Sequence, residues 1–407
     1  MPCEVAVTGI GMITPGGSTT DATWDSVCRG RSLARTDRAL AGLPVDISCG
    51  VEDFDADTLY GRRLARRLDR FTHLALAAAQ QAVTDAKLDP TTWANSRIAV
   101  ILGVGSNSLH TYVREFTLLG RDRPGSVSPV ALPRSVPSAA AGEVALLLGA
   151  RGPSFTVASA CASGATAIAV AADLVTSGAC DIALAGGAES GLSRMTATCF
   201  HQMRSLSRRT DDPEHASRPF DIDRDGLVLG EGAAVLVLES PRNALRRGSH
   251  SRAVLRGHAM SNDAHHPVAP HPDGNGAEQA LRGALSAAGM RPGDIGHINA
   301  QGTSTPVGDA AEANAILRVF GQAPPPVTAP KSILGHSLGA AGAIEAALTV
   351  LTLEHQLIPP TANLTLQDPG REIDIVTHSP RVTRIEAALS NSFGFGGYNA
   401  VLAFARC

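Results

Sequence analysis

The 407-residue sequence has no excess of charge of one sign and no long apolar run. Its 35 Lys and Arg residues against 38 Asp and Glu residues give a formal net charge of −3, so the basic surface typical of nucleic-acid-binding proteins is missing. No uninterrupted apolar stretch is long enough to span a bilayer, and the N-terminal residues show no basic region followed by an apolar run. We therefore expect no nucleic-acid or membrane partner and a cytoplasmic location.

The cysteines show no pair at the spacing of a zinc site or a redox motif. The seven of them stand at positions 3, 28, 49, 161, 180, 199 and 407. An odd number of widely separated cysteines indicates neither a disulfide framework nor a metal site. No Walker-type lysine follows a Gly-rich turn, and no GxGxxG opens a helix after a strand, so the sequence gives no support for nucleotide binding. We expect no cofactor.

What the sequence does show is an alternation of short apolar strands and alanine-rich helices. Strands are predicted at residues 5–10, 97–104, 155–157, 181–185, 233–238, 253–257, 297–300, 328–330 and 387–390. Helices are predicted at residues 21–29, 62–88, 139–148, 165–176, 276–288, 309–320 and 339–355, with loops at 123–137 and 204–226. This alternation predicts an α/β layered fold. Both halves, residues 1–240 and 241–407, repeat the order of strand, Gly-rich turn and helix, which favours a duplication.

Cys161 lies where a predicted strand turns into a predicted helix, within a run of small residues at 158–164. Helix amides point outward at such a turn, and they would lower the pKa of a thiol from its free value of about 8.5. A buried cysteine that only fills space is the alternative, since free cysteine is among the most buried residue types. Partners elsewhere in the chain have to decide between the two interpretations.

Three Gly-rich turns of the second half carry polar residues and adjoin predicted strands. They are NAQGTSTPVGD at 299–309, PKSILGHSLGAAG at 330–342 and NSFGFGGYN at 391–399. Ligands of α/β proteins gather at the carboxyl ends of strands, so these turns and the Cys161 turn are expected to meet at one pocket. The GHSLG run at 335–339 also matches a serine-hydrolase nucleophile elbow, with Ser337 as the nucleophile.

Taken together, these turns resemble the β-ketoacyl-acyl carrier protein synthases, and in particular the elongating type. The resemblance covers nearly the whole chain and is carried by VAVTGIGMITPGG, LDRFTHLALAAAQQAVTDA, ACAS, RPFDIDRDGLVLGEGA, SNDAHHPVAPHPDG, PKSILGHSLGAAGAIEA and NSFGFGGYNAVL. It implies a thiolase-like fold, in which two similar βαβαβ halves stack into five layers, α-β-α-β-α. It also implies an acyl carrier protein as partner and a homodimer, or a heterodimer with a ketosynthase-like subunit.

The resemblance implies specific roles for residues of these turns. Cys161 would take an acyl chain from the phosphopantetheine arm of a carrier protein and hold it as a thioester, which the enolate from a decarboxylated malonyl-carrier attacks. His336 would stabilise that enolate, and Lys331 would be a buried lysine paired with Glu345. From the residues alone, His336 is equally a structural histidine and Lys331 a surface cation.

The remaining implied roles concern substrate binding. The amides of Cys161 and Phe395 would form an oxyanion hole, and the Phe395 side chain would gate the acyl pocket, to which Phe200 and Leu227 also belong. Thr303 and Thr305 would bind the pantetheine arm. Without the resemblance, Phe395 would be interpreted as an ordinary residue of the hydrophobic core.

One departure from the family pattern concerns the catalytic step itself. Where the family has AHGT this chain has AQGT, so Gln301 stands at the first of two histidine positions. A glutamine amide can donate a hydrogen bond, but it cannot carry a proton or a positive charge.

Several hypotheses remain open at this stage. In the first, the chain is a condensing enzyme of fatty acid or polyketide biosynthesis that uses Gln301 as a neutral donor. In the second, it is a non-elongating acyltransferase or gatekeeper. In the third, the natural residue is histidine and the glutamine was engineered. A non-catalytic partner like the chain-length factors, which usually lack the cysteine, and a serine hydrolase using Ser337 are two further alternatives.

Two surface features complete the sequence predictions. Arg62, Arg63, Arg66 and Arg67 would either meet an acidic carrier protein or form a solvated helix face. The His265 and His266 pair lies in a loop that would either approach the active site or remain a surface loop.

Overall fold

A ten-stranded mixed sheet runs through the computed structural model of the chain, which describes residues 4–321 and 323–407. Its strands are β1 (Val5–Ile13), β4 (Ile98–Gly103), β5 (Ser154–Val157), β6 (Ile182–Glu189), β7 (Gly232–Glu239), β8 (Ala253–Asn262), β9 (His297–Asn299), β10 (Val327–Thr328), β13 (Ala387–Gly394) and β14 (Tyr398–Ala405). Two small antiparallel pairs lie outside it: β2 (Arg35–Thr36) with β3 (Ile47–Ser48), and β11 (Leu357–Ile358) with β12 (Arg381–Val382).

The strand order shows the duplication directly. From the outer edge to the centre, the first half reads β5-β4-β6-β7-β1 and the second half reads β10-β9-β13-β14-β8. In each half the third, second, fourth, fifth and first strands therefore follow one another, with the same parallel and antiparallel pairs. The two first strands, β1 and β8, meet antiparallel at residues 5–7 and 253–255. The predicted duplication is confirmed.

Helices cover both sides of each half and separate the two halves. They are α1 (Thr20–Cys28), α2 (Ala56–Ala65), α3 (Arg70–Asp85), α4 (Leu109–Gly120), α5 (Ala131–Ser135), α6 (Ser138–Leu148), α7 (Ser163–Thr176), α8 (Arg194–Gln202), α9 (Pro241–Arg246), α10 (Asn275–Ala288), α11 (Pro306–Phe320), α12 (Lys331–Leu334) and α13 (Ala341–His355). The central layer is α7 with α13; α3 and α6 cover the first half, and α10 and α11 the second. This arrangement is the predicted five-layer α-β-α-β-α fold.

The central layer explains why two helices of this chain are apolar on all sides. Every residue of α13 from Ala341 to Leu353 is buried, because strands or helices cover each of its faces. The two helices also approach closely: a Cβ added to Gly164 of α7 would lie 2.7 Å from the amide nitrogen of Ala343 in α13. Small residues at this crossing bring the beginnings of both helices, and the turns that precede them, to the same place.

Some predicted elements are wrong. The single helix expected at 62–88 is two helices, because Asp69 has an extended conformation (φ −95°, ψ 160°) between α2 and α3. Its carboxylate accepts a hydrogen bond from the Thr111 hydroxyl at 2.8 Å and lies 3.3 Å from Arg134, which holds the break in place. The loop expected at 123–137 contains α5, and α4, α8 and β14 were not predicted at all.

The segment at 204–226 is mainly irregular, as expected, and a buried carboxylate within it holds it in place. Asp221 is fully buried and accepts hydrogen bonds from the Arg218 guanidinium, the Thr365 amide and hydroxyl, and the Asp223 amide. The boundary between residues 240 and 241 stays a prediction; it falls at the start of α9. Over residues 4–321 and 323–407, none of the helices combines the length and the apolar character needed to cross a bilayer.

Candidate active site

The Cys161 turn and the three Gly-rich turns of the second half line one cavity. A fifth segment, at 263–274, completes its outer wall. Residues that line the cavity include Cys161, Leu227, Asp263, Val268, Pro270, Gln301, Thr303, Thr305, Asp309, Glu312, His336, Phe393, Gly394 and Phe395. The side chains named from the sequence are therefore brought together from strands and helices of both halves.

Cys161 is held by the turn between β5 and α7. The Ser163 hydroxyl accepts a hydrogen bond from the Ser159 amide at 2.9 Å and donates one to the Ala160 carbonyl at 2.6 Å. Ala160 has a φ of 49°, in the left-handed region that a residue with a side chain seldom adopts. Gly103 lets the start of α7 approach β4, since a Cβ there would lie 2.2 Å from the Ser163 carbonyl carbon.

The expected lowering of the Cys161 pKa is wrong for the free protein. Cys161 is 5% exposed, and burial raises the pKa of its thiol to about 11, although Lys331 and the Phe395 amide both act to lower it. The loss of hydration of a thiolate outweighs the favourable effect of the helix end. Cys161 is thus a neutral thiol near pH 7, and it needs a base when it reacts.

An imidazole is within contact distance of this thiol. His336 Nε2 lies 3.1 Å from Cys161 Sγ, and the His336 side chain is buried. Burial, reinforced by the positive charge of Lys331, lowers the His336 pKa well below its ordinary value, so the ring is neutral. The backbone of His336 is fixed by a hydrogen bond from its amide to the Val228 carbonyl at 2.8 Å.

Lys331 is buried rather than on the surface, and its ammonium group lies behind the site. It pairs with Glu345 and donates to the Gln301 backbone carbonyl at 2.7 Å and to Gln301 Oε1 at 3.1 Å. Burial raises the pKa of Glu345 to about 7 in spite of Lys331. The lysine therefore sets the orientation of the Gln301 carboxamide.

Gln301 is held at both ends of its carboxamide. Its oxygen accepts from Lys331, and its Nε2 donates to the Phe393 carbonyl at 2.8 Å. The backbone amides of Gln301 and Gly302 donate to the two carboxylate oxygens of Glu312, each at 2.9 Å. Since Nε2 carries two hydrogens, one N–H remains beyond the Phe393 bond.

Phe395 and its neighbouring glycines lie against the Cys161 turn. A Cβ added to Gly394 would lie 3.0 Å from the Cys161 amide nitrogen and 2.9 Å from the Ser159 carbonyl oxygen. The Phe395 amide is directed at the Cys161 sulfur. The Phe395 ring stacks on Phe200, with ring centroids 5.5 Å apart, and Phe200 packs against the cluster that contains Cys161 and Leu227.

Thr303 and Thr305 line the outer part of the cavity, with their hydroxyl oxygens 2.9 Å apart. The loop that carries them is held by Asp309, whose carboxylate accepts from the amides of Thr303 at 3.0 Å and Phe220 at 2.8 Å. Burial raises the Asp309 pKa to about 7. Asp309 and Glu312 were not predicted; the available signal was a pair of carboxylates three residues apart in the alanine-rich sequence of α11.

Glu189 at the end of β6 is a further buried carboxylate that the sequence analysis missed. It accepts from the Gly105 amide at 2.7 Å and the Ser106 hydroxyl at 3.0 Å, and the Gly339 amide also points at it. It therefore connects the segment after β4 to the turn that carries His336. Burial raises its pKa to about 7.

Among the described residues, Ser337 has none of the partners that a hydrolase nucleophile requires. Two acids that follow it in the chain are engaged elsewhere, Asp368 with Arg224 at 2.7 Å and Asp374 with Arg381. Within the described part of the chain, no histidine forms a hydrogen bond to the Ser337 hydroxyl, and the neighbouring His336 ring faces Cys161.

Comparison with known proteins agrees with this geometry. The family model described as Beta-ketoacyl synthase, N-terminal domain, matches residues 3–244, and the corresponding C-terminal domain matches residues 252–365. A 3-oxoacyl-[acyl-carrier-protein] synthase 2 from Synechocystis is 41% identical over 99% of this chain and 98% of that protein.

Two solved structures share the fold over the whole length of this chain and of theirs. The ishigamide ketosynthase/chain length factor has a TM-score of 0.93 at 33% identity. A type II polyketide synthase acyl-carrier protein in complex with its ketosynthase bound to the hexaketide has a TM-score of 0.90 at 29% identity. The predicted thiolase-like fold is confirmed, and the chain belongs to the β-ketoacyl synthase family.

Proposed function

We propose that this chain is a β-ketoacyl-acyl carrier protein synthase, a condensing enzyme of fatty acid or polyketide biosynthesis that works through an acyl-Cys161 thioester. The observation that carries the proposal is the 3.1 Å contact between Cys161 Sγ and His336 Nε2 in the cavity that all four turns line. This chemistry needs a thiol, an imidazole and oriented amides, so we propose no resident cofactor or metal. The substrates arrive on the phosphopantetheine arm of an acyl carrier protein.

Acyl loading follows from the neutral pair of Cys161 and His336. As the sulfur attacks the thioester carbonyl of the acyl-carrier, His336 Nε2 takes the thiol proton and then gives it to the departing sulfur of the arm. The oxygen that becomes negative lies against the amides of Cys161 and Phe395, as in an oxyanion hole. One thioester is broken and one is formed, with no net change in protons.

Condensation makes a different demand on the site. The malonyl-carrier loses carbon dioxide, and the resulting enolate carbon attacks the acyl-Cys161 carbonyl and expels the Cys161 thiolate, which takes up a proton. The enolate oxygen needs hydrogen-bond donors. The remaining N–H of Gln301 is one, and His336 is a second in the tautomer that carries its proton on Nε2. Both are neutral, so the stabilisation is weaker than with a histidine that can become protonated.

The second candidate is a non-elongating acyltransferase or gatekeeper, and the anchoring of Gln301 favours it. The carboxamide is already bonded to Lys331 and Phe393, which leaves it little freedom to follow a forming enolate. A non-catalytic partner like a chain-length factor fits less well, because the Cys161–His336 contact is that of a competent nucleophile and base.

An experiment with malonyl-carrier labelled in its malonyl carboxyl group distinguishes the condensing enzyme from the non-elongating acyltransferase. The protein is incubated with acyl-carrier, then with malonyl-carrier, while intact mass reports acylation of Cys161 and trapped carbon dioxide reports decarboxylation. Acylation followed by an acyl chain two carbons longer supports the condensing enzyme. Acylation without decarboxylation supports the acyltransferase, and the absence of acylation refutes both.

The same proposal includes the docking of the acidic carrier protein near α2. Arg62, Arg63, Arg66 and Arg67 are all exposed, as either interpretation of them requires. Arg67 lies 2.8 Å from Glu143, whereas Arg63 and Arg66 form no ion pair with any described residue. Charge reversal of Arg63 and Arg66 should weaken binding of the carrier protein and reduce the salt dependence of that binding. An unchanged affinity would show that these arginines only form a solvated helix face.

We also propose a dimer, with a second copy or with a ketosynthase-like subunit. Strand β5 is one of the two edge strands of the large sheet, and Phe155 on it is 40% exposed. Phe116 and Leu132 are each about two-thirds exposed in the segment between β4 and β5. Sedimentation of the purified chain measures its oligomeric state and so tests the proposed dimer.

The proposed compartment is the cytoplasm, where a thiol-dependent enzyme with six free cysteines among the described ones remains reduced.

A further inference from the structure

The loop at 263–274, which forms part of the wall of the Cys161 cavity, carries three histidines. Its apolar residues Val268 and Pro270 face inward and line the cavity. His265 and His266 are exposed, and the His271 side chain is about one-quarter exposed. The outer surface of the loop is thus an array of imidazoles, which nothing in the proposed acyl chemistry uses.

Two of these rings are held so that one nitrogen faces away from the loop. His266 Nδ1 accepts from the amides of Val268 at 3.1 Å and Ala269 at 3.0 Å, and His271 Nδ1 accepts from the Asp273 amide at 3.2 Å. A nitrogen that accepts carries no proton, so in each neutral ring the proton is on Nε2. Both histidines therefore present an N–H donor to the outside.

The third ring lies close to one of these two. The ring centroids of His265 and His271 are 4.9 Å apart and the rings are tilted by 55°. The loop is fixed beneath them: the His271 amide donates to Asp263 at 2.8 Å, and the Gly396 amide donates to the Pro267 carbonyl at 2.9 Å. The donors are therefore placed by the same contacts that hold the Phe395 segment.

The charged groups around this array have opposite effects on an anion. Asp273 is 72% exposed with its carboxylate 3.9 Å from His271 Nδ1, and it disfavours a bound anion. Asp263 is already bonded to the Asn399 side chain and the His271 amide. From the neighbouring helices, Arg318 donates to the Asp273 carbonyl and pairs with Glu278, which also pairs with Arg282.

We propose that His265, His266 and His271 form a phosphate subsite that receives the phosphodiester of a carrier protein's phosphopantetheine arm. This inference rests on the proposed function for the identity of the arm. The thioester end must reach Cys161 inside the cavity, which leaves the phosphodiester outside it, near the loop that carries the three imidazoles. Imidazole N–H groups donate well to phosphate oxygens, and hydrogen bonds to charged groups are stronger than neutral ones.

The test compares phosphopantetheine with pantetheine, which lacks only the phosphate. Affinities are measured by calorimetry on the Cys161→Ala protein, so that no reaction with the thiol interferes. We expect phosphopantetheine to bind about five- to tenfold more tightly, as a few partly exposed charge-assisted hydrogen bonds allow. The triple variant His265→Asn, His266→Asn, His271→Asn should lose this preference and keep its affinity for pantetheine.

Asparagine is the informative replacement because its side-chain oxygen can take over the acceptor role of Nδ1 within the turn, while the outward N–H is lost. Asp273→Asn should increase the phosphate preference by about twofold, since a repelling charge is removed. The matched control is His250→Asn, which changes an exposed histidine in the α9–β8 connection and should leave both affinities unchanged.

Equal affinities for the two compounds, or an undiminished preference in the triple variant, would overturn the subsite. Loss of the preference in Arg318→Ala alone would assign the phosphate to the arginine instead. Inorganic phosphate should displace phosphopantetheine only at far higher concentration, and equal competition would refute the assignment to the arm. The proposed function is tested separately, by transfer of an acyl group from acyl-pantetheine to Cys161 in the unmodified protein, so the two proposals can fail independently.

Discussion

Replacement of Gln301 by histidine should raise the rate of condensation and leave acyl loading nearly unchanged. In the proposed mechanism Gln301 contributes one neutral N–H to the enolate oxygen, and its carboxamide is anchored by Lys331 and Phe393. The proposed loading step uses Cys161, His336 and the Phe395 amide, none of which bonds to the Gln301 side chain. The two half-reactions should therefore respond differently to the same substitution.

The expected size of the increase in condensation rate follows from the effect of a single hydrogen-bond donor. Loss of one oxyanion-type donor lowers kcat by about 10²- to 10³-fold in other enzymes. A histidine that donates where glutamine donates weakly should recover a part of this, and we expect a gain of about 10²-fold, or roughly 2.7 kcal/mol in the barrier. The new imidazole can still accept from Lys331, so the buried ammonium group keeps a partner.

The assay measures carbon dioxide release from malonyl-carrier and, in parallel, the rate of Cys161 acylation by intact mass. Gln301→Asn is the matched control: it keeps the amide chemistry but is one methylene shorter, so it should lose the contact with Lys331 and lower condensation further. An equal change in loading and condensation would show that Gln301 acts on the architecture of the site. No gain with histidine would refute the assignment of Gln301 to the enolate step.

Three further predictions concern ionisation and packing. Because burial raises the pKa of Cys161 to about 11, the rate of its alkylation by iodoacetamide should increase up to at least pH 10, and a plateau near pH 7 would contradict the neutral thiol. The His336→Ala substitution should slow this alkylation near neutral pH. Burial raises the Glu189 pKa to about 7, so the folded protein holds a proton that the unfolded chain releases above about pH 4.5. The protonated Glu189 therefore contributes to the free energy of unfolding, on the order of 3 kcal/mol; this contribution is complete below about pH 4.5 and is lost as the pH rises to about 7. The free energy of unfolding in urea should depend less on pH in Glu189→Gln than in the unmodified protein, and an unchanged pH dependence would exclude this carboxyl as its source. Gly394→Ala should slow Cys161 acylation at least tenfold with an unchanged circular dichroism spectrum, because its Cβ would displace the backbone beside the Cys161 amide; wild-type acylation kinetics would show that this backbone is free to move.

Local sequence patterns alone determined the alternation of strands and helices, the duplication and the position of the Cys161 turn. Periodicity and small residues act over a few positions, so these features are visible without tertiary structure. The resemblance of the turns also brought His336, Lys331 and Phe395 to attention. The break between α2 and α3 could not be seen, because Asp69 is held by Thr111 and Arg134, more than 40 residues away.

The tertiary structure decided the chemical state of the site. At the sequence level Cys161 appears activated by a helix end, but four turns from both halves bury it, and the cost of removing a thiolate from water raises its pKa instead. The orientation of Gln301 likewise depends on Lys331 and on the Phe393 carbonyl, which are distant in the chain. Electrostatic energies depend on burial and on through-space neighbours, and only the folded chain sets both.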